Sequence, residues 1–302
     1  SLFAEELGAD DSTPPETTVA TSGSESSSGF NPFMLLGLLG LGGGGGGGGA
    51  TAVSMLSGTV VKGYLKGSVV WRDGNNDGIF NGVYTLNADG TVSVTSVSNG
   101  DTYAITDASG HFTNLAGSGD IHVFGGVDIY GTGLKFTGAL SAPSTATVVT
   151  PLTTLIAQTA SANHETATQA ATRVATALGL NGTATASDLL SIDPIALAVA
   201  SSTSGADKVK ALTIYAKAAQ VANLLVSATT AVKTASGNAL DDTAAAAKVM
   251  ASMAQQIINN PLSVDLTASS FVQGVLTGIT LSGGKSLTDL GSLADIATSV
   301  AN

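Results

Sequence analysis

Between Trp71 and Tyr84 the chain reads Trp-Arg-Asp-Gly-Asn-Asn-Asp-Gly-Ile-Phe-Asn-Gly-Val-Tyr, with oxygen-bearing side chains at alternate positions. Asp73, Asn75 and Asp77 take the first, third and fifth places of a loop, and Gly78 at the sixth permits the sharp turn that lets all three converge on one point. The backbone carbonyl of Ile79 is the seventh-place donor and the side-chain oxygen of Asn81 the ninth. Hard oxygen donors in that order suit Ca2+. A helix-flanked loop of this kind carries a bidentate Glu at the twelfth place; here Tyr84 stands there, so another loop must supply the missing carboxylate. Asp107 is the expected donor. The alternative is a polar Asn/Asp/Gly turn that simply joins two strands.

The elements that would hold this loop are short strands. From Ser57 to Val149 the chain is made of β-branched and aromatic runs, among them Thr59-Val60-Val61, Gly67 to Trp71, Val83 to Leu86, Thr91 to Val94, Thr102 to Ile105, His111 to Thr113, Ile121 to Phe124 and Leu134 to Phe136. Asp77-Gly78, Asn81-Gly82, Asp89-Gly90, Asn99-Gly100 and Ser109-Gly110 punctuate them as turns. This spacing predicts a small β-sandwich over residues 57–149. At Thr150-Pro151 the pattern changes, since Thr is a good N-cap and Pro is favoured at the first helical position. Residues 150–302 read as an Ala-rich helical domain of about six helices, broken at Gly179, Gly182, Asp193-Pro194, Gly205, Gly237, Asn260-Pro261 and Gly283-Gly284. The clearest helix is Ala206 to Val232, whose core stripe is Ile214, Ala218, Val221, Leu225, Ala228 and Val232. The expected class is therefore α+β and multidomain, with an extended N-terminal arm.

That arm, residues 1–56, is rich in Ser, Thr, Gly and Glu and unable to build a core of its own. It carries the apolar block Phe33, Met34, Leu35, Leu36, Leu38, Leu39 and Leu41, interrupted only by Gly37 and Gly40, and then eight consecutive glycines, Gly42 to Gly49. Ordering the glycines costs on the order of 10 kcal/mol. Burying the seven large side chains would return about 10–20 kcal/mol. A spacer that delivers an apolar plug predicts assembly, with the block received by a groove on this chain or a neighbouring copy. The first fifty residues hold six acids and no base, which excludes a basic leader region and predicts a processed chain or a fragment.

Composition narrows the function classes. Only 11% of the 302 residues are charged, the net charge is −11, and Lys and Arg total eleven. Nucleic acid needs clustered basic residues, and these are scattered. The chain has no cysteine, so thiolate metal sites and disulfides are excluded. No segment reaches the 18–20 apolar residues of a membrane span. There is no H-E-x-x-H and no G-x-S-x-G. The carboxylates between Ser57 and Val149 are all Asp, mostly in turn sequences, which favours turns and calcium over general-acid work, so no enzyme is expected.

The run Gly63-Tyr64-Leu65-Lys66-Gly67-Ser68-Val69-Val70-Trp71 with its Asp/Asn/Gly loop, followed by Ile105-Thr106-Asp107-Ala108-Ser109-Gly110-His111-Phe112, resembles the calcium-loaded, prealbumin-like β-sandwich modules of bacterial surface proteins, the serine-aspartate-repeat B-type domains. Val149-Thr150-Pro151-Leu152-Thr153-Thr154-Leu155 is similar to segments of large secreted Gram-negative surface proteins, and the Gly run to linkers of biofilm-associated giant adhesins. The similarity covers residues 30–155, and Asn81 stands where the modules usually have an acid. Together with the apolar arm, it implies a secreted structural protein of a Gram-negative bacterium, self-assembling into a filament, sheet or biofilm matrix and stiffened by Ca2+. The alternative is a monomeric cell-surface adhesin that binds surface or matrix carbohydrate.

Overall fold

The computed structural model describes residues 55–237, 240–260, 262–281, 287 and 293–301. The apolar block 33–41 and the Gly run lie outside the described residues. The chain combines sheets and helices, an α+β architecture.

Eleven strands form four small sheets among the described residues. They are β1 (Leu56–Val60), β2 (Leu65–Lys66), β3 (Val69–Arg72), β4 (Gly82–Leu86), β5 (Val92–Val97), β6 (Thr102–Ile105), β7 (His111–Leu115), β8 (Ile121–Phe124), β9 (Val127–Asp128), β10 (Ala139–Ala142) and β11 (Val148–Val149). The four-stranded sheet has the order β10-β8-β3-β6 and the three-stranded sheet β11-β1-β7; β2 pairs with β9, and β4 with β5 in a hairpin. Central strand β3 is buried along its whole length, as its apolar run Val69-Val70-Trp71 requires. Leu134 to Phe136, expected as a strand, makes only an isolated bridge between Lys135 and Val127.

Eight helices follow among the described residues: α1 (Pro151–Asn163), α2 (Ala167–Ala177), α3 (Ala186–Ser191), α4 (Pro194–Val199), α5 (Gly205–Ala235), α6 (Asp242–Asn259), α7 (Ser269–Thr277) and α8 (Leu293–Ala301). Their starts are written in hydroxyl and carboxylate caps. Thr150, Thr166 and Thr185 each form a capping box with the residue three places on, and Asp193, Ser204 and Asp241 cap α4, α5 and α6. In α5 the expected stripe turns inward, with Ile214, Ala218, Val221, Ala228 and Val232 buried and Leu225 packed at its margin.

The switch from strand to helix falls at Thr150-Pro151, and it is also where the two parts are joined. Thr154 of α1 accepts a hydrogen bond from the Ser141 N–H at 2.9 Å, and Thr153 donates to the Ser141 carbonyl at 3.0 Å. Strand β10 pairs with β8 on one side only, so these buried hydroxyls satisfy backbone groups at its outer edge. Elsewhere the Thr147 N–H donates to the Leu190 carbonyl at 2.9 Å, and the Tyr64 hydroxyl to the Asp193 carboxylate at 2.9 Å. One hydrophobic cluster runs without a break from Val60, Leu65 and Phe112 of the strand part through Leu152 and Leu155 to Val221, Met253 and Phe271 of the helices. A second, smaller cluster of Val69, Trp71, Phe80, Val92 and Phe124 lies beneath the β4–β5 hairpin.

Candidate calcium loop

The loop between β3 and β4 is anchored at both ends by aromatic side chains. Trp71, fully buried, enters it and Phe80 leaves it, with ring centroids 5.6 Å apart; Phe80 also lies 5.5 Å from Phe124. Between these anchors the sequence folds back on itself through short-range carboxylate and amide bonds. Asp73 accepts from the Asn75 N–H at 3.2 Å and from the Gly78 N–H at 2.5 Å, Asn75 from the Asp77 N–H at 3.3 Å, and Asp77 from the Ile79 N–H at 2.8 Å. Such bonds are the local alternative that Asp and Asn offer the backbone in place of a ladder. Gly78 has φ +74°, the left-handed conformation expected of the sixth place.

Of the ligand residues expected from the sequence, Asn75, Asp77, Ile79 and Asn81 are brought together. The Asn75 Nδ2 lies 2.8 Å from an Asp77 carboxylate oxygen, and the Asn81 Nδ2 lies 3.0 Å from both the Asp77 carboxylate and the Ile79 carbonyl oxygen. Two amide nitrogens thus occupy positions among the oxygens that a cation would attract. Turning either amide by 180° presents its oxygen instead, and for Asn75 gives up the bond its oxygen accepts from the Asp77 N–H at 3.3 Å. For Asn81 that turn gives up the bond its oxygen accepts from Asn99 at 2.8 Å. With two carboxylates, two amide oxygens and one backbone carbonyl, the set has the hardness and charge that Ca2+ takes. Among the described residues no group of three His, Asp or Glu side chains is arranged to hold a metal ion, so this loop would depend on its amide and carbonyl oxygens.

Asp107, the donor expected from outside the loop, sits at the wrong end of its strand. The register pairs Arg72 with Thr102 and Val69 with Ile105, so the chain reaches Asp107 at the end of β6 remote from the loop. There its carboxylate closes its own turn, accepting from the N–H of Ser109 at 2.7 Å and of His111 at 3.0 Å. Asp101 occupies the near end. One of its oxygens accepts from the Gly74 N–H at 2.9 Å and the other from the Asn81 N–H at 2.7 Å, so it clasps the loop across its base. Gly74 is needed for that closure, because a Cβ there would stand 2.1 Å from the Gly100 carbonyl oxygen.

Burial, and then the charges of Asp73 and Asp77, push the Asp101 carboxyl above its ordinary value against the lowering effect of its two N–H bonds. None of the ion pairs among the described residues includes Asp73, Asp77 or Asp101. Three carboxylates are therefore gathered without a basic side chain to balance them. Two further residues support the loop. His122 on β8 stacks on Trp71 at 4.7 Å, and Arg72, buried, donates to the carbonyls of Gly117 and Ser144 and so pins two neighbouring turns. A dipeptide Asn99-Gly100 ahead of Asp101 was the available signal for the clasp: a turn there returns the chain to the mouth of the loop.

Comparison of the chain with family models, with curated proteins and with solved structures finds no match.

Proposed function

We propose that this chain is an extracellular structural subunit of a Gram-negative bacterium that assembles into a filament, sheet or biofilm matrix and is stiffened by Ca2+. The observation that carries the reading is the loop Asp73 to Asn81, an oxygen-lined turn with uncompensated carboxylates, clamped by Asp101 and two buried aromatic rings. In it Asp73, Asn75, Asp77, Asn81 and the Ile79 carbonyl would hold the ion, and Ca2+ would tie β3 to the β4–β5 hairpin. The strand part and the Ala-rich helical part would form the body of the subunit. The N-terminal arm would reach a neighbouring copy and deliver Phe33, Met34, Leu35, Leu36, Leu38, Leu39 and Leu41 as a strand or plug, giving a head-to-tail contact that propagates.

The test combines thermal unfolding with sizing. With Ca2+ a hundredfold above its Kd, the melting temperature should rise by about 5–10 °C over that in EDTA. Asp73→Ala combined with Asp77→Ala should abolish the rise, whereas Asp107→Ala should leave it intact. Sedimentation of the full chain should show large species that vanish on deletion of residues 1–50. Equal melting in Ca2+ and EDTA would remove the calcium role; a monomer before and after the deletion would remove arm-driven assembly.

A further inference from the structure

Helix α5 is 31 residues long and apolar on two faces. Its inner stripe belongs to the core, as described above. The opposite side carries Val209, Leu212, Ala216, Ala219, Asn223 and Val226, spaced by alternate steps of three and four, the repeat of a coiled-coil seam. These positions are exposed, except Ala219, which is half-buried; Val209, Leu212 and Val226 are 60%, 58% and 60% exposed. From Ala218 to Val232 the helix has no charged residue. A solvated helix face in an acidic protein is expected to be polar, and this one is not.

We infer that the outer face of α5 is a two-fold interface with the α5 of a second copy, the two helices running parallel. Asn223 fixes the direction. It makes no side-chain hydrogen bond among the described residues, and it stands at the same heptad position as Val209 and Ala216. In a parallel two-fold pair each such position meets its own copy, so the Asn223 amides pair with one another across the seam. In an antiparallel pair the same amide would face Leu212, Ala219 or Val226 of the other helix, with no polar side chain to bond. The area also fits a copy of this chain. The seam is about 26 Å long, and half the surface of a helix about 12 Å across over that length is on the order of 500 Å². Tyr215 on the flank, 39% exposed, extends it towards the ~800 Å² per partner of a stable dimer.

This contact does not rest on the N-terminal arm, and absence of cysteine makes it directly testable. In the full chain, single Ala216→Cys and Asn223→Cys variants place two thiols opposite each other across a parallel seam, within disulfide range. Under mild oxidation both should convert to a disulfide-linked dimer at least tenfold faster than Thr172→Cys, an exposed control on α2. The dimer should persist when residues 1–50 are deleted, whether or not the arm polymerises the chain. Leu212→Glu with Val226→Glu should halve the sedimenting mass of that deleted chain while its helical circular dichroism is unchanged. Cross-linking no faster than Thr172→Cys would overturn the proposal. So would cross-linking that appears only after residues 1–50 are removed, which would assign the face to the arm.

Discussion

His122 shows how a single side chain couples the loop to pH. It is half-buried against the Trp71 ring, and burial lowers its pKa from 6.5 to about 4, opposed by the nearby Asp73 charge. The folded chain therefore keeps His122 neutral while the unfolded chain takes up a proton first as pH falls. Stability from this group is complete above about 6.5 and is lost as pH falls to about 4, by up to about 3 kcal/mol. Denaturant unfolding at pH 7 and pH 4.5 should show this, and His122→Phe, which keeps a ring against Trp71, should reduce the difference between the two. An equal pH dependence in both proteins would reject the assignment. At the same scale, the spacing of Asp73, Asn75, Asp77, Ile79 and Asn81 was legible because loop ligation is local in sequence. The clasp was not: Asp101 and Asp107 are both Asp residues beside turns, and only the β3–β6 register separates them.

The elements differ in how plainly they were written. The start of α1 was legible, since Thr150-Pro151 carries its cap in the adjacent residue, whereas Asp193-Pro194, read as a break, is the capped start of α4. Strand β10 was not, because Ala-Leu-Ser-Ala has no β-branched or aromatic residue and exists as a strand only through β8 on one side and α1 on the other. The reverse holds for Leu134 to Phe136, which has strand-like residues and no neighbour to pair with beyond one bridge. The Thr-Thr pair at the head of α1 is thus a junction as well as a cap. Thr154→Val would keep the shape and leave the Ser141 N–H without its acceptor, costing about 1–3 kcal/mol. Amide exchange should localise the loss to Ser141, and a variant as stable as the parent would show that the junction carries no energy.

For the whole molecule the consequence is cooperativity between the two parts. Because one hydrophobic cluster joins Val60 and Phe112 to Leu152, Val221 and Met253, a chain ending at Val149 would expose the underside of its own sheets. Residues 55–149 alone should give poorly dispersed amide spectra and no cooperative melt, while residues 55–302 melt in one transition. A folded 55–149 fragment would show two independent domains. By itself the sequence determined the α+β class, the change of type at Thr150, the inner stripe of α5 and the oxygen-lined loop, because each depends on residues within one turn or a few turns of each other. The tertiary structure alone decided that Asp101 and not Asp107 closes the loop, that Ser141 is held by two threonines, and that one face of α5 is left out of the core. Those depend on strand register and on which helix face meets the core, and both are settled only when distant segments pack.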